Sequence, residues 1–337
     1  VRYGPWLRFG ALFAAVAAAA WLFLDGSASA FVDLFADAEP SYLAVAVAVY
    51  AASWPLRGSR YSAVLSRAGY ACGTAAMTAA VFVSQTTNLI FPARAGDGAR
   101  AYVVNKRNGV PYTAGAASLV AERVLDLAAV VLIGAVGFCL TASALGFEAA
   151  GGRGALAAAG GVGVATVVAV VVVYLLRGRV EALRGGGDTG AEGRLSAAFR
   201  TLGDFAADVG AVFDDAGDAL RLSGVSLAVW LLDVATCVVL FYALNAEFAG
   251  VVAVSLLAVS VGNLAKVVPL TPGGVGLYEA GFAAVVVGAT AVGWEAAVAV
   301  AVLDHAVKNG VTVVGGVASA LALNVSLTRP AEAEVDG

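Results

Sequence analysis

From Phe9 to Leu24 the chain runs without a charged side chain, and runs of the same kind recur along its 337 residues. One soluble core has no room for that much apolar surface, since 61% of the residues are hydrophobic and only 13% charged, where ordinary domains carry roughly a quarter charged residues. A helix needs about 20 apolar residues to cross the hydrocarbon layer. Segments that suit it are Trp6 to Leu24, Tyr42 to Trp54 continuing towards Ser59, Thr113 to Thr141, Ala155 to Leu176, Val225 to Leu244 and Glu295 to Leu323. The runs are long and continuous and lack period-2 alternation, which excludes a transmembrane β-barrel. The pattern predicts an all-α polytopic membrane protein with about six full spans, residues 1–337 forming a single integral membrane domain. The first run follows Arg2 and Arg8 as a signal peptide would, but no cleavage pattern precedes a soluble part and more spans follow, so it reads as a retained helix.

Two other apolar stretches, Tyr70 to Phe91 and Val251 to Val268, each run into a Pro/Gly break. After the first, Pro92 cannot extend a helix, Gly96 and Gly98 permit a tight reversal, and the return to Arg107 is too short and too basic to span. Charge placement sets the orientation. With a cytoplasmic N-terminus, Asp25, Asp33, Asp37 and Glu39 fall in the first external loop, while Arg57, Arg60, Arg67, the arginines between Arg177 and Arg221, and Arg329 fall inside. Arg153 is the main external exception. This balance requires that Tyr70 to Phe91 not cross, because crossing would carry Arg94, Arg100, Lys106 and Arg107 outside. A re-entrant hairpin near 70–110 satisfies both constraints, and a second is expected near 250–291. Non-helical backbone at membrane depth is tolerated only where protein buries it or where it borders a wet cavity. Each hairpin is therefore expected to border a polar site.

The two halves share a pattern. Asn88-Leu89, Pro92 and Gly96 answer to Asn263-Leu264, Pro269 and Gly273; Val124-Leu125-Asp126 answers to Val302-Leu303-Asp304, with all offsets between 175 and 185 residues. In the topology above, the span at Tyr42 runs inward and its counterpart near Val225 outward, so the repeats are read as weak and inverted, a transporter signature. The organisation is then residues 1–40, first span and external loop; 41–176, the first repeat with two spans after its hairpin; 177–224, a cytoplasmic linker with an amphipathic stretch from Leu195; 225–325, the second repeat; and 326–337, a polar tail.

Charges deep in the membrane carry the next signal. Ser118, Glu122 and Asp126 share one helix face at i, i+4 spacing, with Arg123 able to pair with Asp126 at i+3. Asp304 and Lys308 repeat the acid-then-base spacing in the last helix, and Asp233 and Lys266 are also intramembrane. Each costs several kcal/mol unless paired or hydrated, about 2.5 to well above 10. So many together imply a polar interior.

Asn88, Pro92-x-Arg94-x-Gly96-Asp97-x-x-Arg100, then Ser118-x-x-x-Glu122-Arg123-x-x-Asp126, and Pro269-x-Thr271-Pro272-Gly273-Gly274-Val275-Gly276-x-x-Glu279 together resemble the flippase-like, lysylphosphatidylglycerol synthase transmembrane family over nearly the whole chain. The resemblance implies an integral membrane protein that handles lipid. Some members carry a fused lysyl-transferase domain, for which this sequence has no soluble segment longer than Arg177 to Arg221. The last helix departs from the family, with Asp304-His305 about where an arginine usually stands.

Cys72, Cys139 and Cys237 lie in apolar segments without paired spacing and read as small apolar fillers, and His305 alone cannot build a His-rich metal site. No metal, cofactor or catalytic residue is expected, and the chain reads as a non-enzyme. The leading function is translocation of an anionic lipid or lipid-linked sugar between the leaflets of the plasma membrane, both termini being cytoplasmic. Head-group contacts are assigned to Arg94, Asp97 and Arg100, because guanidinium forks bind phosphate bidentately. Thr271, Gly273 and Gly274 join them, because they open a helix whose free N–H groups favour an anion. The polar pathway comprises Asn88, Ser118, Glu122, Arg123 and Asp126, then Asp233, Lys266, Glu279, Asp304 and Lys308. The expected partner is a membrane phospholipid or a polyisoprenyl-linked lipid, and no nucleic acid. The alternative is a non-transporting membrane scaffold that binds a lipid glycosyltransferase, with an enzyme acting on lipid third. Substrate, direction, energy coupling and oligomeric state stay open.

Overall fold

The computed structural model describes residues 36–91, 95–145, 214–266, 274–325 and 327. The expected spans Trp6 to Leu24 and Ala155 to Leu176, the linker up to residue 213, and Arg94, Thr271 and Gly273 lie outside the described residues.

Among the described residues the elements are eight helices: α1 (Pro40–Arg67), α2 (Thr74–Ile90), α3 (Ala95–Asn108), α4 (Tyr112–Leu145), α5 (Ala216–Ala243), α6 (Val251–Ala265), α7 (Leu277–Ala289) and α8 (Trp294–Leu323). Tyr112–Ala144 of α4, together with α5 and α8, is long and apolar enough to cross a bilayer, with mean hydropathies of 2.3, 2.2 and 1.4. The helices α2, α3, α6 and α7 have 17, 14, 15 and 13 residues. At about 1.5 Å per residue each falls short of the ~30 Å hydrocarbon thickness.

Two boundaries differ from the sequence expectation. α1 does not stop near Ser59 but continues through Pro55 to Arg67. The buried residues Trp54, Tyr61, Val64 and Leu65 keep one helical face apolar past the arginines, and beside the proline the Ser53 hydroxyl donates to the Tyr50 carbonyl at 2.7 Å. α5 begins at Ala216, upstream of the expected Val225, because Asp215 caps it by accepting the Asp218 N–H at 2.9 Å. The end of the expected linker is thus the start of a long helix, and Arg67 at the end of α1 pairs with Asp218 in its first turn.

Helix lengths recur along the chain, 28, 17, 14 and 34 residues in α1 to α4, then 28, 15, 13 and 30 in α5 to α8. Packing recurs with them. α1 lies against α5; α4 packs on α6 and α8 on α2; α2 folds back on α3 and α6 on α7. Both exchanged pairs approach through glycine: a Cβ on Gly137 would run into Leu256 and Leu257 of α6, and one on Gly315 into Phe82 of α2. Small residues are what allow helix backbones to close up in a membrane. Tyr61, Met77, Val83 and Val104 belong to one buried apolar cluster, and Phe241, Val254, Phe282 and Val298 to another.

Candidate functional site

Both short-helix pairs end at one cavity of about 270 Å³. Tyr50, Trp54, Arg57 and Arg60 of α1 line it, with Gln85 and Asn88 from the end of α2, and Asn263 and Lys266 from the end of α6. Glu122, Arg123 and Asp126 face it from α4, and Asp304, His305 and Lys308 from α8. Among the described residues its wall carries six side-chain cations, Arg57, Arg60, Arg100, Arg123, Lys266 and Lys308, against four carboxylates, Glu122, Asp126, Asp233 and Asp304.

One charge cluster ties α1, α3, α4 and α5 together. Arg60 donates to Asp126 through both terminal nitrogens, at 2.6 and 3.2 Å, and to the Ser226 hydroxyl at 2.8 Å. Its other neighbour is Glu122 at 3.4 Å. Arg100 pairs with the second oxygen of Glu122 and lies with its guanidinium carbon 4.8 Å from the Tyr61 ring centre. The Trp230 indole donates to Asp126 at 3.0 Å. Arg123, more exposed, stands 3.5 Å from Asp97 and 3.7 Å from Asp126. Arg60 and Arg100 are 3% and 1% exposed, so their pairing offsets a large loss of hydration.

The other cluster joins α5, α7 and α8. Lys308 sits between two carboxylates, 2.7 Å from Asp233 and 2.8 Å from Asp304. The Tyr278 hydroxyl donates to Asp304 at 2.6 Å, and Arg57 of α1 reaches Asp233 at 4.0 Å. Glu279 accepts the Gly276 N–H at 2.7 Å and meets His305 Nδ1 at 2.6 Å. Lys266 has no carboxylate within ion-pair distance among the described residues; its ammonium lies 4.5 Å from the Tyr278 ring centre.

The cavity therefore brings together Asn88, Arg100, Glu122, Arg123 and Asp126 with Asp233, Lys266, Gly274, Asp304 and Lys308. Asp97 and Glu279 do not line it: Asp97 accepts from Asn88 at 3.3 Å, and Glu279 is bound to the tip of α7. Ser118 turns its hydroxyl onto the Gly115 carbonyl at 2.7 Å, also outside the lining. Arg100, assigned to a head group, is buried and locked on Glu122. Arg123 pairs with Asp126 at i+3 as expected, at 3.7 Å, and Arg60 is a nearer partner, at 2.6 Å. The free N–H groups expected at the head of α7 are partly taken, because Glu279 folds back on Gly276.

Arg57 and Arg60, read in the sequence only as charges on the cytoplasmic side, line the cavity, as do Trp54 and Tyr278. The available signal was the helical spacing of Trp54, Tyr61 and Leu65, which carries α1 past the arginines. In the last helix Asp304 takes Lys308, one turn on, as its cation.

Long apolar helices around a buried, ion-paired cavity define a multi-pass α-helical membrane protein with an internal polar site. The chain belongs to the lysylphosphatidylglycerol synthase TM region family, matched over residues 8–316. It is also similar to "Glycosyltransferase AglD" of Haloferax volcanii, at 44% identity over 325 residues, which covers 89% of this chain and 52% of the relative. The chain thus spans about half the length of the curated relative it matches. That relative is named as an enzyme, which overturns the sequence reading of a non-enzyme.

Proposed function

We propose that the chain receives the anionic head group of a lipid or lipid-linked sugar in this cavity and passes it between leaflets. The observation that carries the reading is the cavity wall, which among the described residues has six cations against four carboxylates at the meeting point of two short-helix pairs. An oxyanion is the ligand such a wall favours, and aromatic and amide side chains beside it suit a polar head group. In this reading the protein has about six spans and two re-entrant hairpins, and its halves are inverted repeats meeting at the cavity. The recurring helix lengths and exchanged packing support that arrangement. The test is reconstitution in liposomes carrying trace fluorescent phosphatidylglycerol or phosphatidylcholine, with dithionite reading inner-leaflet protection. Loss of protection of the anionic probe, faster than in protein-free vesicles and than for the zwitterionic probe, is expected; rates equal to empty vesicles overturn translocation.

The relative's name supports a second reading, in which the cavity holds the lipid-linked substrate of a glycosyl transfer without moving it. Saturable binding of anionic lipid without transbilayer movement would favour it.

A further inference from the structure

We propose that Lys266 is the anchor for the ligand's phosphate, the cation whose counter-ion the ligand itself supplies. The inference rests on the anionic head-group reading and names the residue that meets the charge. Arg60, Arg100, Arg123 and Lys308 each have a carboxylate within 4.0 Å, and Arg57 reaches Asp233 at that limit. Lys266 has none among the described residues, yet it lines the same cavity.

Its surroundings leave the charge without a counter-ion among the described residues. Lys266 stands at the C-terminal end of α6, where the helix dipole favours a cation. The Tyr278 ring lies under the ammonium at 4.5 Å, and its hydroxyl is fixed on Asp304 at 2.6 Å. A ring face attracts a cation but brings no formal charge, so an arriving phosphate oxygen can replace or join it. The stem packs on backbone. Gly274 lies so close to the Lys266 Cγ and Cδ that a Cβ there would overlap them, and its φ of +75° is a backbone that side chains rarely adopt.

The pseudo-repeat separates this lysine from the needs of the fold. Asn88 and Asn263 correspond at an offset of 175 residues, and the same offset sets Lys266 opposite Phe91. The helix end recurs in both halves, but the charge occurs in one. A lysine needed only to end the helix would have a counterpart that does the same work.

The shared chemistry is a phosphate oxyanion, which a lipid head group or free phosphate can present. The test uses the full chain in detergent and follows fluorescence of the cavity tryptophans, Trp54 and Trp230, during titration with dihexanoylphosphatidylglycerol and, separately, with inorganic phosphate. The expected result is saturable binding of the lipid, weakened about tenfold or more in Lys266→Gln, the loss of one charge-assisted contact, and held within about threefold in Lys266→Arg. Unliganded unfolding temperatures of the three proteins check that the variants are folded; should Lys266→Gln unfold, retained binding in Lys266→Arg with loss in Lys266→Met carries the same comparison. Inorganic phosphate binding as tightly as the lipid would overturn a lipid source while keeping the anchor. Lys266→Gln binding the lipid within twofold of the unsubstituted protein overturns the anchor but leaves the head-group reading, which Arg57→Gln then locates. No binding of either probe to the unsubstituted protein overturns both.

Discussion

The Asp126 carboxylate stands on α4, receives both guanidinium nitrogens of Arg60 from α1, and takes the Trp230 indole N–H from α5. Three helices thus meet on one residue that is 8% exposed. Removing Arg60 leaves two buried carboxylates short of a cation, since Glu122 also faces it. Arg60→Leu alone should cost about 3 to 5 kcal/mol in a detergent unfolding measurement, while Arg60→Leu with Asp126→Leu should recover much of it, because an apolar pair replaces a stranded charge. Additive costs in that double-mutant cycle would show the two residues to be uncoupled. Recovery should be incomplete, since Ser226 and Trp230 lose their partner too. This tie was illegible in the sequence for a physical reason. Arg60 and Asp126 are 66 residues apart and meet only through the crossing of two helices, whereas Asp304 and Lys308 stand one turn apart on one helix and their spacing alone sets the pair.

α3 shows how the short helices are fastened at their tips. Asn88, near the end of α2, accepts the Gly96 N–H at 2.8 Å and donates to Asp97 at 3.3 Å, so one side chain holds the head of the returning helix. Gly96 sits so close to the Ser84 carbonyl that an added Cβ would overlap it, and a backbone oxygen cannot rotate aside. Gly98, two residues on, has open space where its Cβ would be. Gly96→Ala should therefore destabilise by about 1 to 3 kcal/mol through overpacking, while Gly98→Ala should be neutral or stabilise by up to about 1 kcal/mol, as alanine does in a helix. Thermal unfolding of the two single variants checks this, and equal effects would remove the close approach at the tip. The ends of α2 at Ile90 and α6 at Ala265 were visible because Pro and Gly act locally. The ends of α1 and α5 were not, because hydropathy falls at Arg57 and Asp218 while tertiary ion pairs keep both helices going.

Across the molecule, helices of similar length swap partners: α4 packs on α6 as α8 packs on α2, and α1 meets α5 directly, where Arg57 and Asp233, 176 residues apart, approach each other. If the halves are inverted, the outer ends of the first short-helix pair face the cytoplasm and those of the second face outside. Ala71 and Asn108 flank α2 and α3, Glu247 and Ala291 flank α6 and α7, and all four are exposed. Single cysteines at these positions, in a background with Cys72, Cys139 and Cys237 replaced, should react with an impermeant maleimide from one side of sealed vesicles at 71 and 108, and from the other at 247 and 291. Each comparison isolates one part of the topology. Labelling of Ala71→Cys and Asn108→Cys from opposite sides would mean that α2 and α3 together cross the bilayer, because about 31 helical residues suffice for a ~30 Å layer even with a break between them. Labelling of Asn108→Cys and Glu247→Cys from the same side would instead keep the hairpins but make the repeats parallel, and the cavity would then lie on one face of the membrane with no matching approach from the other.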